Sequence, residues 1–71
     1  MRRNEIRYSK TPFDDYNISI WAIKPPPYKD WLITGNCGKT KFRAFINLVK
    51  WLHRYKNLKE LLYVRSIKNE Y

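Results

Sequence analysis

Cysteine, glycine, histidine and acidic side chains are all scarce in this chain of 71 residues, which holds one Cys, two Gly, one His and six Asp and Glu together. The lone Cys37 excludes an intramolecular disulfide and any Cys-based metal site. A secreted domain this small ordinarily needs such staples, so a reducing, cytoplasmic setting is expected. With His53 as the sole imidazole, a His-only metal site is excluded and no cofactor is implied. Neither a Ser-His-Asp nor a Cys-His constellation can be assembled, so the chain reads as a binding protein and not an enzyme. Long apolar runs are missing too: no stretch nears the ~20 apolar residues of a spanning helix. Met1-Arg2-Arg3 is followed by Asn4, Glu5 and Arg7, where the apolar part of a signal peptide should begin. Neither membrane insertion nor a small-molecule substrate is expected.

Aromatic residues are plentiful: three Trp, six Tyr and three Phe, within a hydrophobic share of 44%. They supply large buried area per residue, so residues 1–71 are expected to form one compact domain, although a chain of this length buries only about 60% of its unfolded surface. Fifteen Lys and Arg give a formal charge of +9. This charge is unevenly spread. Residues 1–30 carry six basic and four acidic side chains and residues 60–71 two of each, whereas Trp31 through Lys59 hold seven basic residues and no acidic one. Concentrated charge of one sign favours a polyanionic or acidic partner over mere solubility.

Residues 4–10 alternate, with Ile6 and Tyr8 on one side, and read as a strand. An edge position would suit it, with Arg7 and Lys10 discouraging outside pairing. Residues 16–24 form the clearest strand; Ile18, Ile20 and Ala22 face one way, Trp21 and Ile23 the other, so both faces are expected to be covered. Pro25-Pro26-Pro27 stops the ladder and serves as a stiff connector. A third strand over 29–34 is closed by the turn Gly35-Asn36-Cys37-Gly38. From Thr40 to Lys56 the period becomes helical. At about 100° per residue, Trp51, Ala44, Tyr55, Leu48, Leu52, Phe45, Val49, Phe42 and Ile46 share one broad apolar arc, with Trp51 read as core. His53 falls at the arc's margin, as a partly buried, hydrogen-bonded histidine. The narrow remaining stripe holds Lys39, Arg43, Asn47, Lys50 and Arg54. Asn57 with Glu60 three residues on resembles a capping box, and a helix over 58–68 is expected, with a strand as the competing form. The expected class is α+β: a small two- or three-stranded antiparallel sheet packed by one long amphipathic helix, with a short C-terminal helix (or strand).

Gly35-Asn36-Cys37-Gly38-Lys39-Thr40 lies between a strand and a helix as a phosphate-binding loop does, but Ile33 occupies the place of that motif's first glycine. What remains is the set of free amides at the helix start, beside Lys39 and Lys41, as a place for one phosphate. Asp14-Asp15 reads as a turn. Strands followed by an amphipathic helix resemble the small arm-binding domains of tyrosine recombinases, and that resemblance implies DNA read by a three-stranded sheet. Together these features point to nucleic-acid binding. Lys39, Lys41, Arg43, Lys50, Arg54 and Lys56 would neutralise phosphates, and Asn47 would contact a base edge. Interleaved rings, Trp51 beside the stripe and Tyr28 and Trp31 around Lys29, suit stacking on bases. Residue usage rich in Lys, Asn, Ile and Tyr would fit a phage or mobile-element accessory protein. The other reading is a protein-interaction module or inhibitor that binds an acidic protein surface.

Overall fold

The computed structural model describes residues 3–70; Met1 and Arg2, which open the segment weighed against a signal peptide, and Tyr71 lie outside the described residues. Alternating β-branched and aromatic residues build β1 (Asn4–Lys10), β2 (Tyr16–Ala22) and β3 (Trp31–Gly38). The helical period then builds α1 (Lys41–Tyr55), and a single turn, α2 (Lys59–Leu62), leads into β4 (Val64–Asn69). The strands form one sheet in the order β3-β2-β1-β4. β1 and β3 each run antiparallel to β2, whereas β4 joins β1 in parallel. By these pairings β3 and β4 point the same way at opposite edges, so α1 is the crossover that carries the chain from one edge to the other.

The α+β class holds, but the two- or three-stranded antiparallel sheet is corrected to four strands with one parallel pair. The cause lies at the C-terminal end. A helix over 58–68 would leave the outer side of β1 with unpaired backbone groups. Instead α2 stops after one turn and β-branched Val64 starts β4. Asn4 N donates to Tyr63 O at 2.9 Å and Glu70 N to Tyr8 O at 2.7 Å, framing the parallel ladder. β1 is therefore an interior strand and not an edge. The capping box is half present. Asn57 Oδ1 accepts from Lys59 N at 2.9 Å, while Glu60 turns inward, where Asn4 Nδ2 donates to its carbonyl at 2.8 Å and to its carboxylate at 3.0 Å.

The turn expected at 35–38 is instead the second half of β3, paired with β2 through Gly38↔Tyr16. Neither glycine has positive φ. Gly38 is needed for close approach: a Cβ there would sit 2.5 Å from Ala44 N, so any side chain would push α1 off the sheet.

The core lies between α1 and one sheet face. Ile6 and Tyr8 of β1 and Ile18 and Ile20 of β2 meet Ala44, Leu48 and Leu52, one row of the helix at i, i+4 and i+8. Phe45, Ile33 and Val64 flank them, half-buried. In this two-layer fold nothing among the described residues covers the outside of the helix, so the broad apolar arc is corrected to this narrower row. Phe42 is 72% exposed, Tyr55 57% and Trp51 41%, and His53 is exposed, not partly buried.

Nothing covers the other sheet face among the described residues. There Arg7, cross-strand from Ser19, gathers three carboxylates: Glu5 at 2.8 Å, Asp30 at 2.7 Å and Glu70 at 3.8 Å. Its guanidinium lies 4.6 Å from the Trp21 ring centre, and Trp21 Nε1 donates to Ser19 Oγ at 2.8 Å. The hydrogen bond from Arg7 is the main reason the Glu5 and Asp30 carboxyls sit below their ordinary values; Lys24 N also donates to Asp30. The Glu5 hydrogen bond in turn raises Arg7.

Candidate nucleic-acid interface

Burial of Ala44, Leu48 and Leu52 fixes the rotation of α1 about its axis, and that rotation decides where its polar residues point. Thr40 caps the N-terminus in extended conformation, its Oγ1 accepting from Arg43 N at 3.1 Å. Arg43, Lys50 and Arg54 then fall on the exposed side, and Lys39, which precedes the cap and is not in the helix, is exposed beside it. These four form the outer cationic face.

Of the remaining three expected site residues, Lys41 and Lys56 stand apart from that face, and Asn47 borders it beside Arg43 and Lys50. Lys41 is half-buried, its Nζ 5.7 Å from the Tyr8 ring centre at the end of the sheet. Asn47 points toward β3: its Nδ2 donates to Cys37 O at 2.7 Å, and Asn36 Nδ2 donates back to Asn47 O at 3.2 Å. One of its two amide N–H groups thus tethers helix to strand, which leaves the second N–H and Oδ1 outside that tether. Lys56 is the C-cap, where its N–H reaches Leu52 O; its side chain lines a pocket with Arg3 and Lys24.

Acidic groups avoid the helix face. All ion pairs among the described residues converge on Arg7, across the sheet from α1. Glu60 is buried against Asn4. Asp14 and Asp15 occupy the β1–β2 hairpin, where Thr11 N donates to Asp15 O at 2.8 Å. The first turn of α1 contains no acid, although Arg43 sits there at the positive end of the helix dipole. A cation in that place is locally unfavourable by about 0.3–1 kcal/mol, and an anionic partner would relieve it.

Exposed rings adjoin these cations. Trp51 and Tyr55, one helical turn apart, touch with their planes tilted by 42° and centroids 4.3 Å apart, and Arg54 lies 5.6 Å from the Tyr55 ring centre. Together with Asn36, Asn47 and Lys50 they border a groove of about 300 Å³ beside β3. Trp51 is thus at the surface and not in the core. At the start of β3, Tyr28 and Trp31 are 72% and 68% exposed. Sequence reasoning noticed Tyr28, Lys29 and Trp31 together but missed Arg3, Lys24 and Tyr55. The signal for Lys24 was its place at the mouth of the proline run; Arg3 carried none.

Among the described residues no three His, Cys, Asp or Glu side chains come together as a metal site, and no helix is long and apolar enough to cross a membrane. Comparison with protein-family models, curated proteins and solved structures returns no match. The likeness to recombinase arm-binding domains therefore rests on element order alone. The sheet face turned away from α1 carries Arg7 and its three carboxylates.

Proposed function

We propose that this domain is a nucleic-acid-binding module whose outer α1 face contacts phosphate through Lys39, Arg43, Lys50 and Arg54. The observation that carries the reading is the segregation of charge. These cations share one exposed side, while the carboxylates are held by Arg7 across the sheet, buried at Asn4 or folded into the β1–β2 hairpin. Cations without acidic neighbours are what a polyanion requires, because each neutralised phosphate releases condensed counterions. No catalytic group is part of this reading. Exposed, unpaired Cys37 suits a reducing, cytoplasmic setting.

Salt dependence tests it. Four phosphate contacts on duplex DNA give a slope of about −3.6 for log K against log salt, each contributing about −0.9. Replacing both Arg43 and Lys50 by Glu leaves two contacts and a slope of about −1.8 or shallower, with weaker binding to every sequence. Both positions face solvent, so the circular dichroism spectrum should be retained. A folded double variant that binds DNA and RNA as well as the parent would reduce the stripe to a solvated face. A parent that binds neither at low salt would give first place to an acidic protein partner.

A further inference from the structure

The loop between β2 and β3 presents a second cationic and aromatic surface that the outer face of α1 does not use. Its shape is fixed from within. Tyr28 N donates to Pro25 O at 3.0 Å, Lys24 N donates to Asp30 Oδ1 at 3.2 Å, and Arg7 holds the other Asp30 oxygen at 2.7 Å. With the proline run stiffening the segment, the backbone that carries the exposed rings of Tyr28 and Trp31 is set before any partner arrives. Trp31 borders two hollows. One, of about 460 Å³, is shared with Lys24, Pro25, Tyr28 and Lys29. The other, of about 680 Å³, also reaches Arg3 and Lys56. Both volumes lie within the range of sites that hold nucleotide-sized ligands.

We infer that this surface takes unpaired nucleotides, the Tyr28 and Trp31 rings stacking on bases while Arg3, Lys24, Lys29 and Lys56 hold the flanking phosphates. The inference rests on the nucleic-acid reading above and deepens it, from any phosphate backbone to a single strand. Charge and ring chemistry decide between occupants. Protein interface cores are depleted in Lys, whereas this surface sets three Lys and one Arg around its rings. Duplex DNA keeps its base faces stacked on one another, so exposed rings gain little from it; an unpaired strand offers a π-face at every base. Glu60 is the one carboxylate lining these hollows, and it accepts from Asn4 Nδ2. The helix repeats the combination of rings and cations at Trp51, Tyr55, Lys50 and Arg54 along the same β3 edge, since Asn47 ties that flank of α1 to Cys37.

Fluorescence anisotropy of the whole chain with labelled oligo(dT), oligo(rU) and a duplex of equal length tests this at low salt. The parent should prefer both single strands to the duplex. Trp31→Ala should weaken single-strand binding about 5- to 100-fold, the share of one stacked base, and change duplex binding less than about twofold. Trp31→Phe, which keeps a ring, should restore most of the loss. The melting curve of Trp31→Ala should match the parent's because the side chain is largely in solvent. Equal losses on single strand and duplex, an unaffected single-strand affinity, or a parent that prefers duplex would each overturn the inference. If the Arg43 and Lys50 reversal still weakens binding in those cases, the phosphate-contacting face survives alone. A parent that binds no nucleic acid overturns both.

Discussion

Leu52 and Phe42 belong to one apolar arc in the sequence, and the structure pulls them apart: Leu52 is fully buried under the sheet, and Phe42 projects into solvent. Truncating each to alanine therefore measures the rotation of α1 and, with it, the direction of the cationic face. Leu52→Ala removes three buried carbons, worth about 2.4 kcal/mol at ~0.8 kcal/mol per methylene. Incomplete collapse of the cavity raises the expected cost to about 3 kcal/mol, inside the usual span for such changes. A domain of 71 residues is stable by roughly 4–10 kcal/mol, so this one change removes about 30–75% of the total. At about 4–8 °C per kcal/mol for a domain of this size, Tm should fall by roughly 12–24 °C. Phe42→Ala loses no core contact and gains helix propensity, so its Tm should move by less than about 4 °C in either direction. Thermal unfolding followed by far-ultraviolet circular dichroism reads both, with urea titration as a check that the slope is unchanged. If Phe42→Ala costs as much as Leu52→Ala, or if Leu52→Ala moves Tm by less than about 4 °C, the helix is rotated differently. The assignment of Arg43, Lys50 and Arg54 to one outer face would then fail.

Gly38→Ala should destabilise by about 1–3 kcal/mol through overpacking against the α1 backbone, whereas Gly35→Ala, whose Cβ would meet Ile18 O at 3.1 Å, should cost less; paired urea titrations decide. Acid should weaken the Arg7 cluster. Glu5 and Asp30 have folded values depressed below 4.5 and 3.8, so their contribution is complete above those values and is lost as pH falls through the lower folded ones. Tm should therefore decline as pH drops below about 4.5, and Arg7→Gln should flatten the decline; an equally steep acid limb in the variant would refute the assignment.

Local pattern was a sound guide wherever one residue and its near neighbours decide the outcome. The period of two in Ile18, Ile20 and Ala22 locates β2, and the helical period from Thr40 to Lys56 brackets α1, with those two residues as its caps. Failures came where the deciding partner lay far along the chain. Residues 35–38 have turn composition, yet they pair with β2, Gly35 opposite Ser19 and Gly38 opposite Tyr16. Over 64–69 the local pattern admitted a strand beside the helix, and the unpaired side of β1, which no window around Val64 can reveal, decides for the strand. The site divided in the same way. Exposed Arg43, Lys50 and Arg54 follow from helical spacing. Asn47 follows the same spacing, but the carbonyl of Cys37, ten residues back, takes one of its two amide N–H groups. The over-wide arc had a different cause: helical periodicity shows which residues are apolar but not how many layers exist to bury them.

The parallel pairing of β4 with β1 also has a consequence for timing. The β1–β2–β3 meander can assemble before α1 and β4 have been made, but β1 then waits with one side bare. Its closing contacts, such as Ser66 Oγ donating to Glu5 Oε1, span 61 residues. Closing so long a loop is entropically costly and slow relative to local pairing. During synthesis at about 5–20 residues per second, the N-terminal strand stays open to wrong partners for seconds, until Asn69 clears the ribosome. Maturation of this domain is thus governed by its final strand, and any truncation that removes β4 should give an aggregation-prone product and not merely a shorter one.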